Sequence, residues 1–156
     1  DHPDRIAPDE RDREPSLMRR ALRLAAVPVL IAMVITPVRF LLELAGVPTA
    51  YVFLFGLLWL ALGFSIYWGV RLSGETRPYR LLWLSLALFS PVSRIPVFAL
   101  WWIDTTWGIG THYDIFDSWG QAFMGQFFYG SLLQIIPGGI LGSLTLAIRR
   151  ARNASR

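Results

Sequence analysis

The chain has 156 residues, 54% of them hydrophobic and 14% aromatic, with a formal charge of +4 and no cysteine. Charges are scarce between Leu24 and Ile148 and crowded at the ends, which is the composition of a single membrane-embedded domain rather than a soluble one. The lack of cysteine excludes disulfides, thiolate metal sites, iron–sulfur clusters and cysteine nucleophiles, and the arginines border apolar runs, so the positive charge addresses anionic headgroups rather than nucleic acid.

Residues 1–16 are polar, with three prolines and six acids, and read as a flexible cytoplasmic tail. His2, isolated in that tail, carries no expected role. The chain opens at Asp1 rather than at methionine, which leaves room for residues upstream.

A first span is expected over 17–45, apolar from Leu24, with Arg19, Arg20 and Arg23 at its entrance. It is too long for a cleavable signal peptide and lacks a small-residue cleavage site. Pro28 and Pro37 lie inside it, and a kink is expected at Pro37. Arg39 and Glu43 stand four residues apart on one face, a candidate ion pair. Gly46 is a C-terminal stop, followed by Pro48.

The second span, 49–71, has Thr49 as a candidate N-cap. It holds 21 uncharged residues from Ala50 to Val70, roughly 30 Å of helix, the thickness of the hydrocarbon core. After a short loop, Thr76 and Pro78 announce the third span, 78–103, kinked at Pro91 and Pro96 around Arg94. An aromatic and acidic loop follows over 104–117. Ser118 to Gln121 has the form of a capping box and opens the fourth span, 118–148. Its 30 uncharged residues from Trp119 to Ile148 make roughly 45 Å if fully helical, so a bend or break is expected at Pro137-Gly138-Gly139. Gly138 and Gly142 form a GxxxG pair, a candidate helix-packing or self-association surface. Residues 149–156 form a basic cytoplasmic tail.

Arginines cluster in the N-terminal segment, in the loop between spans two and three, and after span four. The loop between spans three and four has none and carries three aspartates. These placements predict an all-α polytopic membrane protein. Its four transmembrane helices form an antiparallel bundle with both termini cytoplasmic, in the inner membrane of a cell, and a structured outer loop joins helices three and four.

Two arginines fall outside the orientation rule, Arg39 and Arg94. Arg94 lies roughly 20 Å into its span, where a charge is expensive and by default functional. Both guanidiniums can reach one outward-facing pocket for an anionic or lipid-like ligand, lined by Trp101, Asp104, His112, Tyr113, Asp114, Gln126 and Tyr129, with Gln126 and Tyr129 sharing a face. The plainer readings are that Arg39 pairs with Glu43 and that Arg94 bonds carbonyls freed by the prolines or snorkels outward. Likewise, Trp101, Trp102, Trp107, Tyr113 and Trp119 suit an interfacial aromatic belt.

Asp104, His112, Asp114 and Asp117 include residue types that a metal or a hydrolytic site uses, and His112 oriented by Asp114 suits a general base. The only histidine in the folded part is His112, so a bis-histidine haem is excluded, no metal or other cofactor is expected, and no serine or cysteine nucleophile stands beside it. Three functions follow in order of preference. The first is a non-catalytic accessory or assembly subunit that packs against other membrane subunits. The second is a small transporter or binding protein using Arg39 and Arg94. The third is an outward-facing enzyme using Asp104, His112, Asp114 and Asp117.

Overall fold

The computed structural model describes residues 16–155. The acidic segment 1–15 with His2, and Arg156, lie outside them. The described residues are all helical, without strands: α1 Leu17–Leu44, α2 Thr49–Leu54, α3 Leu57–Arg71, α4 Pro78–Ser93, α5 Ile95–Trp107, α6 Trp119–Phe123 and α7 Gly130–Ala154. They group into four stretches long and apolar enough to cross a membrane, Leu17–Leu44, Thr49–Gly74, Pro78–Trp107 and Trp119–Ala154. The chain is thus compatible with an integral, multi-pass membrane protein.

Three of the four spans are interrupted, and the interruptions set up the polar sites. The first is not. Ser16 caps α1 by accepting from Arg19 N at 3.3 Å, and the helix runs through Pro28 and Pro37 to Leu44. Gly46, at φ 85°, turns the chain out of it.

The second span breaks at Phe55 and Gly56, where an unbroken helix was expected. Gly56 is extended (ψ 152°), and its N–H turns back to Phe53 O at 3.0 Å. A Cβ there would lie 2.9 Å from Phe53 O, so glycine permits the break. The carbonyl of Val52 thereby loses its helical partner Gly56 N, accepts Phe55 N at 3.3 Å instead, and keeps a second lone pair for a side chain.

The third span breaks at Arg94 itself, between α4 and α5. Pro96 brings no N–H to the next turn, and Arg94 serves both helices as a cap. The span then continues to Trp107, four residues past the expected end, and closes on Gly108 in the left-handed region at φ 59°.

In the fourth span Ser118 accepts from Gln121 N at 3.4 Å, as a capping box requires. Gln121 Oε1, however, reaches back to Asp117 N at 3.2 Å rather than to Ser118 N. A π-helical turn occupies Met124–Tyr129. By contrast, α7 is continuous through Pro137, Gly138 and Gly139, so the helix does not break there. It also extends past 148 through the arginines to Ala154.

Packing is closest between the second and fourth spans. A Cβ on Gly69 would lie 2.6 Å from Gly142 O, one on Gly142 would lie 2.9 Å from Ser65 O, and one on Gly138 would lie 2.7 Å from Ser65 Oγ. The two helices therefore touch backbone to backbone, and the Gly138–Gly142 face is turned into the chain. Gly139 accommodates the Trp83 ring, and Trp83 Nε1 donates to Ser143 Oγ at 3.2 Å. Apolar side chains fill the rest in two clusters, one around Phe40, Phe89 and Leu100, the other around Trp68, Leu82 and Leu86.

Candidate functional site

Most of the polar groups that the sequence marks gather where the loop 108–118 meets the helices, and Arg94 lies about 20 Å from that loop, at the start of α5. They form three separate nests. The first is built on His112. Its backbone N–H donates to Glu43 Oε1 at 2.9 Å, and its ring Nδ1 meets Glu43 Oε2. Its Nε2 faces Arg39 Nη2 at 3.4 Å. A guanidinium can only donate, so Nε2 accepts, and the Nδ1–H donates to the Glu43 carboxylate. Arg39 Nε donates to Val52 O at 3.1 Å, using the carbonyl released by the break at Gly56, and the guanidinium stands over the Phe53 ring. Thr49 Oγ1 adds a donor to Glu43 at 3.3 Å. Arg39 and Glu43 thus form no direct ion pair, contrary to the expectation from their spacing. Break and turn at 44–56 bring the loop histidine between them instead.

The second nest is Asp104. Its side chain has no exposed surface. Oδ1 accepts from Gly110 N at 2.7 Å, and Oδ2 accepts from Thr111 N at 2.9 Å and from Thr111 Oγ1. A helix-borne carboxylate therefore holds the start of the loop by two backbone N–H groups and a hydroxyl, bonds that are stronger to a carboxylate than to a neutral acceptor. The loop is then tied down beyond it. Tyr113 is buried and its hydroxyl donates to Thr36 O at 3.3 Å. Burial pushes its phenol pKa up, the Arg39 charge opposes that rise, and Glu43 adds to it. Trp101 is buried too, donating from Nε1 to Phe116 O at 3.2 Å. Phe116 packs onto Gly125, where a Cβ would lie 2.3 Å from its ring. Trp101 and Tyr113 therefore leave the expected aromatic belt for the interior, each drawn in by a backbone carbonyl. Trp102, Trp107 and Trp119 stay exposed.

The third nest is Arg94. Nη2 donates to Gly130 O at 2.8 Å, and Nη1 reaches Gln126 Oε1 at 3.5 Å. A Cβ on Gly130 would come within 2.9 Å of the guanidinium carbon, so glycine opens the path to that carbonyl. Arg94 takes its acceptors from the fourth span beside the π-turn, not from carbonyls freed by Pro91 and Pro96. The π-turn also separates two residues expected on one face. Gln126 is buried, whereas Tyr129 is 64% exposed, because the wider turn rotates the following side chain outward.

Arg39 and Arg94 share no acceptor, and a cavity of about 870 Å³ lies elsewhere in the molecule. Asp114 accepts from Thr105 Oγ1 at 2.8 Å at the surface and does not orient His112. Glu43 does. None of Asp104, His112, Asp114 and Asp117 bonds to another of the four. Among the described residues, no three histidine or acidic side chains converge as a ligand set. Chemically, the Glu43–His112 pair has the form that orients a general base, yet a guanidinium occupies the nitrogen that would take the proton.

Sequence reasoning passed over Glu43 as the histidine's partner, Thr111, Val52, Gly125 and Gly130. Only the Asp104–Thr111 contact, seven residues apart, has a local signal. No family model matches the chain, and no curated protein and no solved structure matches it.

Proposed function

We propose that this chain is a non-catalytic accessory or assembly subunit of the inner membrane. In this reading its four helices are antiparallel and both termini are cytoplasmic. One observation carries the functional part: the reactive-type side chains Arg39, Arg94, Asp104 and His112 are engaged by the chain's own groups. Such bonds rigidify a shape. They leave no free base beside a nucleophile for a substrate.

The orientation rests on two sets of contacts. Arg20 pairs with Glu75, and Arg150 donates to Ser73 O at 3.2 Å and to Glu75 O at 3.3 Å. These link the start of the first span, the connection after the second and the end of the fourth. Glu43 and His112 link the opposite ends. The arginine-rich end then faces the cytoplasm.

The partner surface in this reading is made of exposed aromatic side chains, Trp102 and Trp107 in the loop-proximal half of the third span and Phe128 and Tyr129 deeper in the fourth. Aromatic side chains of this kind anchor interfaces. Native mass spectrometry of the chain released from its own membranes tests it. A partner at fixed stoichiometry is expected, and Tyr129→Ala with Trp102→Ala should weaken its retention about tenfold or more, on the scale of interface hot spots. A lone monomer in every preparation overturns the reading.

A further inference from the structure

The cavity of about 870 Å³ opens between the first and second spans, at the arginine-rich end. Its rim and its walls have opposite characters. Arg20, Arg23 and Arg71 stand at the rim, with Glu75 as the one acid among the lining residues. Leu24, Val27, Trp59, Leu60 and Phe64 line the interior. Its volume falls within the roughly 300–1,000 Å³ of ligand sites.

The rim is biased toward an anion. Glu75 is engaged by Arg20, so it neutralises that guanidinium. Arg71 donates to the Tyr67 hydroxyl at 2.5 Å and stands over that ring, which orients it without cancelling its charge. Arg23 is exposed beside them. Two forked cations facing one mouth suit a phosphate, whose oxygens accept paired N–H donors.

The depth is that of a lipid leaflet. Trp59 lies twelve residues before Arg71, so the groove runs about 18 Å down α3. Half of a hydrocarbon core of about 30 Å is close to this length. The floor is open at Gly63, where an added Cβ would meet no atom within 4 Å, between the bulky walls of Trp59 and Phe64. A free phosphate would use the rim and leave the apolar walls uncovered. A phospholipid covers both.

We propose that this groove binds an anionic phospholipid of the leaflet that borders the arginines. Arg23 and Arg71 hold the headgroup phosphate, and an acyl chain lies against Val27, Leu60 and Gly63. The proposal rests on the four helices crossing a membrane and is independent of the accessory role.

The test is retention of lipid by the purified full-length chain, moved from detergent into nanodiscs of mixed phosphatidylglycerol and phosphatidylcholine and then released for native mass spectrometry. The chain should retain phosphatidylglycerol preferentially. Arg23→Gln with Arg71→Gln should lower that preference about tenfold, since each basic group near the headgroups contributes to anionic-lipid binding. Gly63→Leu, which fills the floor and leaves the charge alone, should cut retention of both lipids. Arg80→Gln with Arg152→Gln removes the same charge outside the groove and should change nothing. Equal loss in that control overturns the site in favour of general surface charge. Inorganic phosphate that displaces phosphatidylglycerol completely also overturns it, because then only the rim binds. Circular dichroism of each variant in detergent must match the parent.

Discussion

Asp104 shows how one side chain can hold a loop. It projects from α5 with both oxygens committed to the backbone of Gly110 and Thr111, and it is fully buried. Asp104→Asn keeps the shape but turns an NH2 toward N–H donors, leaving at least one of them unpaired. The expected cost is about 2–3 kcal/mol, in line with losing charge-assisted hydrogen bonds and stranding a donor. Asp114→Asn, at an exposed position with one hydroxyl partner, should stay within about 0.5 kcal/mol. Denaturant unfolding of the two variants in mild detergent measures the difference, and equal midpoints would refute the latch. At this scale legibility followed sequence distance. The cost of a charge at Arg94 and the oddity of a histidine in an acidic loop were visible in the chain. Their partners were not, since Glu43 and His112 are 69 residues apart and nothing local announces that they meet.

Among the elements, long apolar runs bounded by arginine, proline and glycine made four long apolar helical stretches readable, and the third and fourth run further than expected, to Trp107 and Ala154. The interruptions were harder. Gly56 breaks its helix and Pro137 does not, although proline is the stronger breaker by propensity. The difference is what lies alongside: the freed Val52 carbonyl receives Arg39, whereas α7 is clamped by its glycines against Ser65, Gly69 and Trp83. The π-turn has no sequence signature at all. The seam gives a direct prediction. Gly142→Leu would drive a branched side chain into Ser65 O, whereas Gly120→Leu enters open space. The first should lower unfolding stability by about 2 kcal/mol or more, as overpacking of a close contact does, and the second should leave it nearly unchanged. Unfolding titrations of the pair in detergent report this, and comparable values for both would remove the seam from the account.

For the molecule as a whole, the absence of native cysteine makes sidedness easy to measure. Thr76→Cys in the second–third connection and Ile115→Cys in the third–fourth loop are both at exposed positions. In intact cells a membrane-impermeant maleimide should label Cys at 115 and spare Cys at 76 until the membrane is opened; the reverse pattern inverts the proposed orientation. The backbone contact between the second and fourth spans has a further consequence, for biogenesis. In the membrane-spanning reading the second span is made well before the fourth exists, with Ser65 and Gly69 uncovered where a helix backbone should be. Until the last helix arrives, the nascent chain presents a groove of small residues that any passing helix with a small face can occupy. The fourth span closes that groove and so completes the fold.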